Sequence, residues 1–224
     1  MLLPNIDSSS IKDVENACSN NNSLKCMWGL HPCHVFANWE DELEKIKPLF
    51  NSFPACAVGE IGLDLYWSKD FLSEQKMALE VQLGWAMEYN LPVSLHTREA
   101  TRETIDLVKP FAEKGVKGAF HCFSGTEKEA LEIIEMGFYL GIGGSITYKK
   151  NPVRDYIARI PLLHLVLETD SPYLPPVPYR GKRNEPSYLQ EVVYALADLH
   201  GQSPFTISEI TTNNAVSLFD LKFD

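Results

Sequence analysis

An α/β barrel of the TIM type is the fold this sequence predicts, and two observations predict it. Short apolar, β-branched or aromatic runs alternate with longer helical patterns from one end of the chain to the other, the succession that gives parallel strands covered by helices. The polar residues that stand out recur at one place, the C-terminal end of an apolar run, and parallel barrels build their sites at those ends. A chain of 224 residues, 45% hydrophobic and 22% charged, suits a single globular domain over residues 1–224.

The elements follow in order. Strands are expected at residues 2–5, 25–30, 55–61, 92–96, 118–122, 138–142 and 163–168. Helices are expected between them at residues 8–20, 39–49, 72–89, 100–113, 126–135 and 153–159, and 187–200 and 206–219 close the chain. Thr126 followed by Glu129 reads as a capping box, whereas Ser73 followed by Lys76 offers only a plain N-cap. The proline-rich stretch 170–186 reads as a loop over a functional face. This gives about seven β-α units, one short of the eight that close a TIM barrel. An open sheet would expose two parallel edges, an aggregation hazard, so the count predicts a further β-α unit ahead of Met1.

Composition narrows the function. A net charge of −10 argues against a broadly basic nucleic-acid surface. A polyanionic substrate then requires positive charge concentrated in one pocket, which bound metal ions provide. No apolar run approaches the ~20 residues needed to span a bilayer, and the opening Met1-Leu2-Leu3-Pro4-Asn5 does not read as a signal peptide. Five cysteines, Cys18, Cys26, Cys33, Cys56 and Cys122, form no C-x-x-C pair and read as small buried hydrophobes in a reducing cytoplasm.

Four strand ends carry chemistry. Val58-Gly59-Glu60, Val93-Ser94-Leu95-His96, Ala119-Phe120-His121 and Val166-Leu167-Glu168-Thr169-Asp170 each end an apolar run in a polar group. Any one of these alone would be read as a hydrogen-bonded strand-end histidine, a helix cap or a loop brace. Two imidazoles and two carboxylates at four strand ends instead suggest a mixed N/O site for one or two divalent ions, Zn, Mg or Mn. Gly59, Gly62, Gly125, Gly141, Gly143 and Gly144 sit where strands turn into loops and would let backbone approach a ligand, or serve as ordinary turns. Gly141-x-Gly143-Gly144 lacks the third glycine and acidic residue of a dinucleotide fingerprint. A separate zinc site from His31, Cys33 and His34 lacks a further ligand pair, and His164 and His200 read as structural.

The segments Gly29-x-His31-Pro32, Gly59-Glu60-Ile61-Gly62-Leu63-Asp64, His96-x-Arg98, His121-Cys122-Phe123-Ser124-Gly125, Glu168-Thr169-Asp170-Ser171-Pro172 and Arg183-Asn184-Glu185-Pro186 resemble, in this order, the signatures of TatD-family deoxyribonucleases. The resemblance implies a TIM barrel of the metal-dependent hydrolase superfamily that hydrolyses DNA phosphodiesters, often from the 3′ end and acting on single strands. It implies that Glu60 bridges two metals, that His96 and His121 ligate one, and that Asp170 ligates the other and accepts the proton. It implies that His31 faces the substrate phosphate. The family's opening strand bears His-x-His, which this sequence lacks, and the same gap accounts for the missing β-α unit. Arg98, Arg180, Lys182 and Arg183 lie in or near strand-end loops as candidate phosphate contacts, whereas Arg102, Lys149 and Lys150 read better as solvated surface charge. Tyr66, Tyr173 and Tyr179 are candidates for stacking on bases or for loop packing. No obligate protein partner and no membrane contact are expected. Two alternatives stand beside this: a related hydrolase of amides, lactones or phosphotriesters, and a catalytically impaired barrel with a binding role.

Overall fold

Strands and helices alternate from the first residues of the computed structural model, which describes residues 1–222. The chain clusters into two compact units, one spanning Met1–Gly118 and one that begins at Ala119. In the first unit the order is β1 (Leu2–Pro4), α1 (Ile11–Ser19), β2 (Lys25–Trp28), a 3₁₀ turn at Pro32–His34, α2 (Trp39–Ile46), α3 (Leu49–Ser52), β3 (Ala55–Asp64), α4 (Leu72–Tyr89), β4 (Val93–Arg98) and α5 (Thr101–Ala112). The four strands pair in parallel in chain order, with Leu3 opposite Cys26, Met27 opposite Ala57 and Gly62 opposite His96.

β3 is the spine of this unit. Ala57, Val58, Ile61 and Leu63 are fully buried, as a parallel strand covered on both faces requires. It runs three residues beyond the Ile61 end expected from sequence, because Glu60 and Asp64, which look like loop polars, are themselves buried. α4 lies against β3 and, through two buried glutamines, ties down the end of β3 and the segment after β2. Gln82 accepts from Leu30 N at 2.7 Å and donates to Leu30 O at 3.3 Å. Gln75 accepts from Asp64 N at 2.9 Å and donates to Asp64 O at 3.2 Å. Each amide thus satisfies a strand-end peptide from both sides, which lets a polar side chain sit in the core without desolvation cost. α4 stops at Asn90, whose φ of 52° is left-handed. Ser73 lies inside the helix; the N-cap position is Phe71, with no side-chain bond. The helix expected at residues 39–49 is broken, since Pro48 has no N–H to continue it and instead opens α3.

The second unit contains β5 (Gly118–Phe120), α6 (Glu127–Glu135), β6 (Tyr139–Ile142), a series of 3₁₀ turns, β7 (Leu165–Leu167), α7 (Leu189–His200) and α8 (Pro204–Leu218). Its strands are again parallel, with Phe120 opposite Leu140 and Ile142 opposite Leu167. α6 begins with the expected capping box: Thr126 accepts from Glu129 N at 3.3 Å and Glu129 accepts from Thr126 N at 2.7 Å. The helix expected at residues 153–159 is instead two 3₁₀ turns, Pro152–Asp155 and Ile157–Arg159. Buried Tyr156 leaves helical geometry at φ −132° while donating to Gly125 O. Residues 168–185 carry neither helix nor strand, as the proline content predicts. Among the described residues no helix is long and apolar enough to cross a membrane.

Candidate metal centre

Each unit gathers histidines and carboxylates at the C-terminal ends of its strands. In the first, Glu60 and Asp64 are four residues apart on β3 and so project to one face. His96 on β4 lies opposite Gly62, midway between them. Its Nδ1 is 2.9 Å from Glu60 Oε1 and its Nε2 is 2.8 Å from Asp64 Oδ2. Glycine is required at 62: its φ is +144°, and a Cβ there would stand 2.0 Å from His96 O. Burial pushes the Asp64 carboxyl upward, but hydrogen bonds from His96, the Trp67 N–H and the Cys33 thiol outweigh it and hold the group down at about 2. Its second oxygen, Oδ1, accepts from the N–H groups of Tyr66 at 3.0 Å and Trp67 at 3.3 Å, so one carboxylate both braces His96 and shapes the loop after β3.

His31 follows β2. Its Nδ1 accepts from Cys33 N at 3.1 Å, which in a neutral ring places the proton on Nε2. That nitrogen faces Glu60 Oε1 at 3.6 Å. A ring held in this tautomer donates rather than ligates. The thiol of Cys33 lies with the His31 and His96 nitrogens within 4.8 Å. Burial, with Asp64 and Glu60 beside it, pushes that thiol up to about 12. His34 turns away to Asp7 at 2.5 Å, so the third donor beside His31 and Cys33 is His96, not His34.

In the second unit His121 follows β5. Its Nδ1 is 2.7 Å from Glu168 Oε2, and its Nε2 faces Asp170 Oδ1 at 3.5 Å. Glu168 Oε1 accepts from Cys122 N, which fixes the carboxylate from both sides. A histidine that donates one N–H to a carboxylate presents its other nitrogen as a ligand, the usual arrangement at metal sites. Gly141 makes room for it: a Cβ there would meet Glu168 Oε2 at 2.7 Å. Cys122 and Asp170 both hold left-handed backbone, φ 44° and 45°, a strained conformation that clusters at functional sites. The loop bearing Asp170 is locked by Asn184, 1% exposed, which donates to the Thr169 and Tyr173 carbonyls.

The basic residues singled out from sequence lie outside these clusters. The Arg98 guanidinium stacks 3.6 Å over the Tyr66 ring and 5.4 Å from that of Trp67. Arg180 lies 4.5 Å over Tyr148, and Arg183 is exposed. Only Cys26 among the five cysteines is fully buried, although all five are free thiols. His164 and His200 stand apart from both clusters; burial lowers the pKa of His200.

Both donor sets fit a divalent ion. Among the described residues Asp64, Glu168 and Asp170 have only histidines as ion-pair partners. Imidazole nitrogen with carboxylate oxygen is the chemistry of zinc and manganese sites.

A family model described as TatD related DNase matches residues 1–220. The chain belongs to the TatD family. It is 40% identical over 193 residues to the uncharacterized metal-dependent hydrolase YabD of Bacillus subtilis, covering 85% of this chain and 75% of that one. It is 34% identical over 220 residues to the 3′-5′ ssDNA/RNA exonuclease TatD of Cronobacter sakazakii, covering 94% and 83%. The crystal structure of YjjV, a TatD homologue from Escherichia coli K12, matches it with a TM-score of 0.91 at 31% identity over 99% of this chain and 86% of that one. The TatD-family chain is therefore a metal-dependent hydrolase with the TIM-barrel-type α/β fold expected from its sequence. The sequence reading assigns no role to Asp64, Glu168 or Asn184, although each lies within one of its motifs. For Asp64 the signal was strand periodicity, since it lies at i+4 from Glu60.

Proposed function

We propose that this chain hydrolyses phosphodiester bonds of DNA, releasing nucleotides from the 3′ end of a single strand. The observation that carries the reading is the pair of strand-end clusters, each a histidine held by carboxylates. The name of the Cronobacter sakazakii relative supports the substrate class. Glu60 and His96 of the first unit and His121 and Asp170 of the second are the proposed metal ligands. One or two divalent ions, when bound, supply Lewis acidity and offset charge on the non-bridging oxygens of the transition state. Asp170 accepts the proton of the attacking water on Oδ1. Glu168 keeps the His121 proton on Nδ1, and Asp64 orients His96. His31 points its Nε2–H at the scissile phosphate, a role its tautomer suits. Arg98, Arg180 and Arg183 take the flanking phosphates.

The test is an oligonucleotide labelled at one end or the other, incubated with Zn, Mn or Mg. Stepwise shortening from the 3′ end is expected, and Asp170→Asn should slow it by about 10²–10⁴-fold, the usual worth of a general base. An inert phosphodiester alongside rapid hydrolysis of an amide or lactone would overturn the reading.

A further inference from the structure

The second unit carries a cleft of about 670 Å³ that neither cluster uses, within the ~300–1,000 Å³ range of small-ligand pockets. Its walls combine apolar surface from Tyr148, Pro152 and Val177 with three cations, Lys149, Lys150 and Arg180. The sequence alone suggests ordinary surface charge for the two lysines; the fold places them on one concavity. Among the described residues none of the three lies within ion-pair distance of a carboxylate, in a protein of net charge −10.

Three loops build the cleft, and each begins at the second cluster. The β5 loop runs from His121 to Ser124, which lines the cleft. The β6 loop starts at Gly143, where a Cβ would sit 3.6 Å from both Cys122 Sγ and Glu168 Cγ, and leads to Tyr148 and the lysines. The β7 loop carries Glu168, Asp170 and then Arg180. Internal bonds hold the walls in place. Tyr148 OH donates to Pro175 O at 2.7 Å, Thr147 Oγ1 accepts from Val177 N at 2.8 Å, and Asn151 bridges to Ser145 at 3.1 Å. Stacking on Tyr148 orients the Arg180 guanidinium and leaves its N–H rim for an anion.

We propose that this cleft holds the nucleotide next to the cleaved linkage, with Lys149, Lys150 and Arg180 on its phosphates and the apolar wall on its sugar and base. Alternating cation and apolar surface is the chemistry of single-strand grooves. The inference rests on the phosphodiesterase reading and extends it to a second substrate position.

Binding is measured by anisotropy of a labelled single-stranded oligonucleotide on the Asp170→Asn protein with manganese, over a range of salt concentrations. Lys149→Ala, Lys150→Ala and Arg180→Ala should each weaken binding and flatten the plot of log affinity against log salt by roughly 0.7 per lost phosphate contact. Lys128→Ala, which removes an exposed charge on α6 outside the cleft, should leave the slope unchanged, and Lys149→Arg should restore it. Cleft variants indistinguishable from Lys128→Ala, or no binding at all, would overturn the proposal. Hydrolysis of bis(p-nitrophenyl) phosphate by the unaltered protein tests the underlying reading separately, because that diester has no second nucleotide to place.

Discussion

At Gly141 a missing side chain is what admits a present one, since the Glu168 carboxylate fills the space a Cβ would need. Gly141→Ala is expected to push that carboxylate off His121 while the fold persists, because the obstructing atom is the end of a flexible side chain. Loss of such an outer partner commonly costs 10–100-fold in metal affinity, so a calorimetric metal titration should show a drop of about that size with an unchanged far-UV spectrum. Gly62→Ala is a different case. There the obstacle is the His96 carbonyl and φ is +144°, so no side chain can yield, and a loss of at least ~1–3 kcal/mol in urea unfolding is expected. Single residues were legible in proportion to their position. Glu60, His96, His121 and Asp170 end apolar runs, where a polar group is conspicuous. Asp64 and Asn184 read as loop residues, because nothing local to either tells that its partners lie on β4 and in the carbonyls of residues 169 and 173.

Elements with strong local chemistry came through best. α4 has the bounds its pattern predicts, and α6 starts on the capping box written in Thr126 and Glu129. Thr126→Ala should cost about 1 kcal/mol in unfolding free energy, as loss of an N-cap does. Elements settled by distant contacts were less legible: β3 outran its apolar stretch because Gln75 binds both peptide groups of Asp64, and the segment 153–159 gave up α-geometry to bury Tyr156. α2 offers a pH test. Burial would raise the Glu42 carboxyl, but bonds from Lys45 and from the N–H and hydroxyl of Ser8 outweigh it and depress its pKa. A depressed acid adds stability above its ordinary pKa, and that stability is lost as pH falls through the folded value. Glu42→Gln should therefore lower the urea midpoint near pH 7, by a free energy of about 1.5–3 kcal/mol for hydrogen bonds to a charged group, and the gap between the two proteins should close as pH falls through the folded pKa of Glu42.

For the molecule as a whole, the parallel β/α succession and the strand ends bearing histidine and carboxylate were readable from pattern alone, because strands buried on both faces read as continuous apolar runs and a polar group that ends one stands out. Metal should couple to stability at this scale. An ion that binds the native state alone stabilises it by about 2.7 kcal/mol at a hundred times its dissociation constant. Chelation should lower the melting temperature by several degrees, and Zn or Mn added back should restore it. A melting temperature indifferent to both would argue that neither cluster holds an ion.

All four tryptophans, Trp28, Trp39, Trp67 and Trp85, fall in the first unit, and three of them are buried while Trp67 is 71% exposed. The backbone N–H of Trp67 donates to the carboxylate that braces His96. The protein thus carries its own optical gauge of that histidine's surroundings. An aqueous quencher such as iodide reaches one indole and spares the rest, so the quenchable fraction of the emission follows how tightly Asp64 grips the loop, without any label being attached.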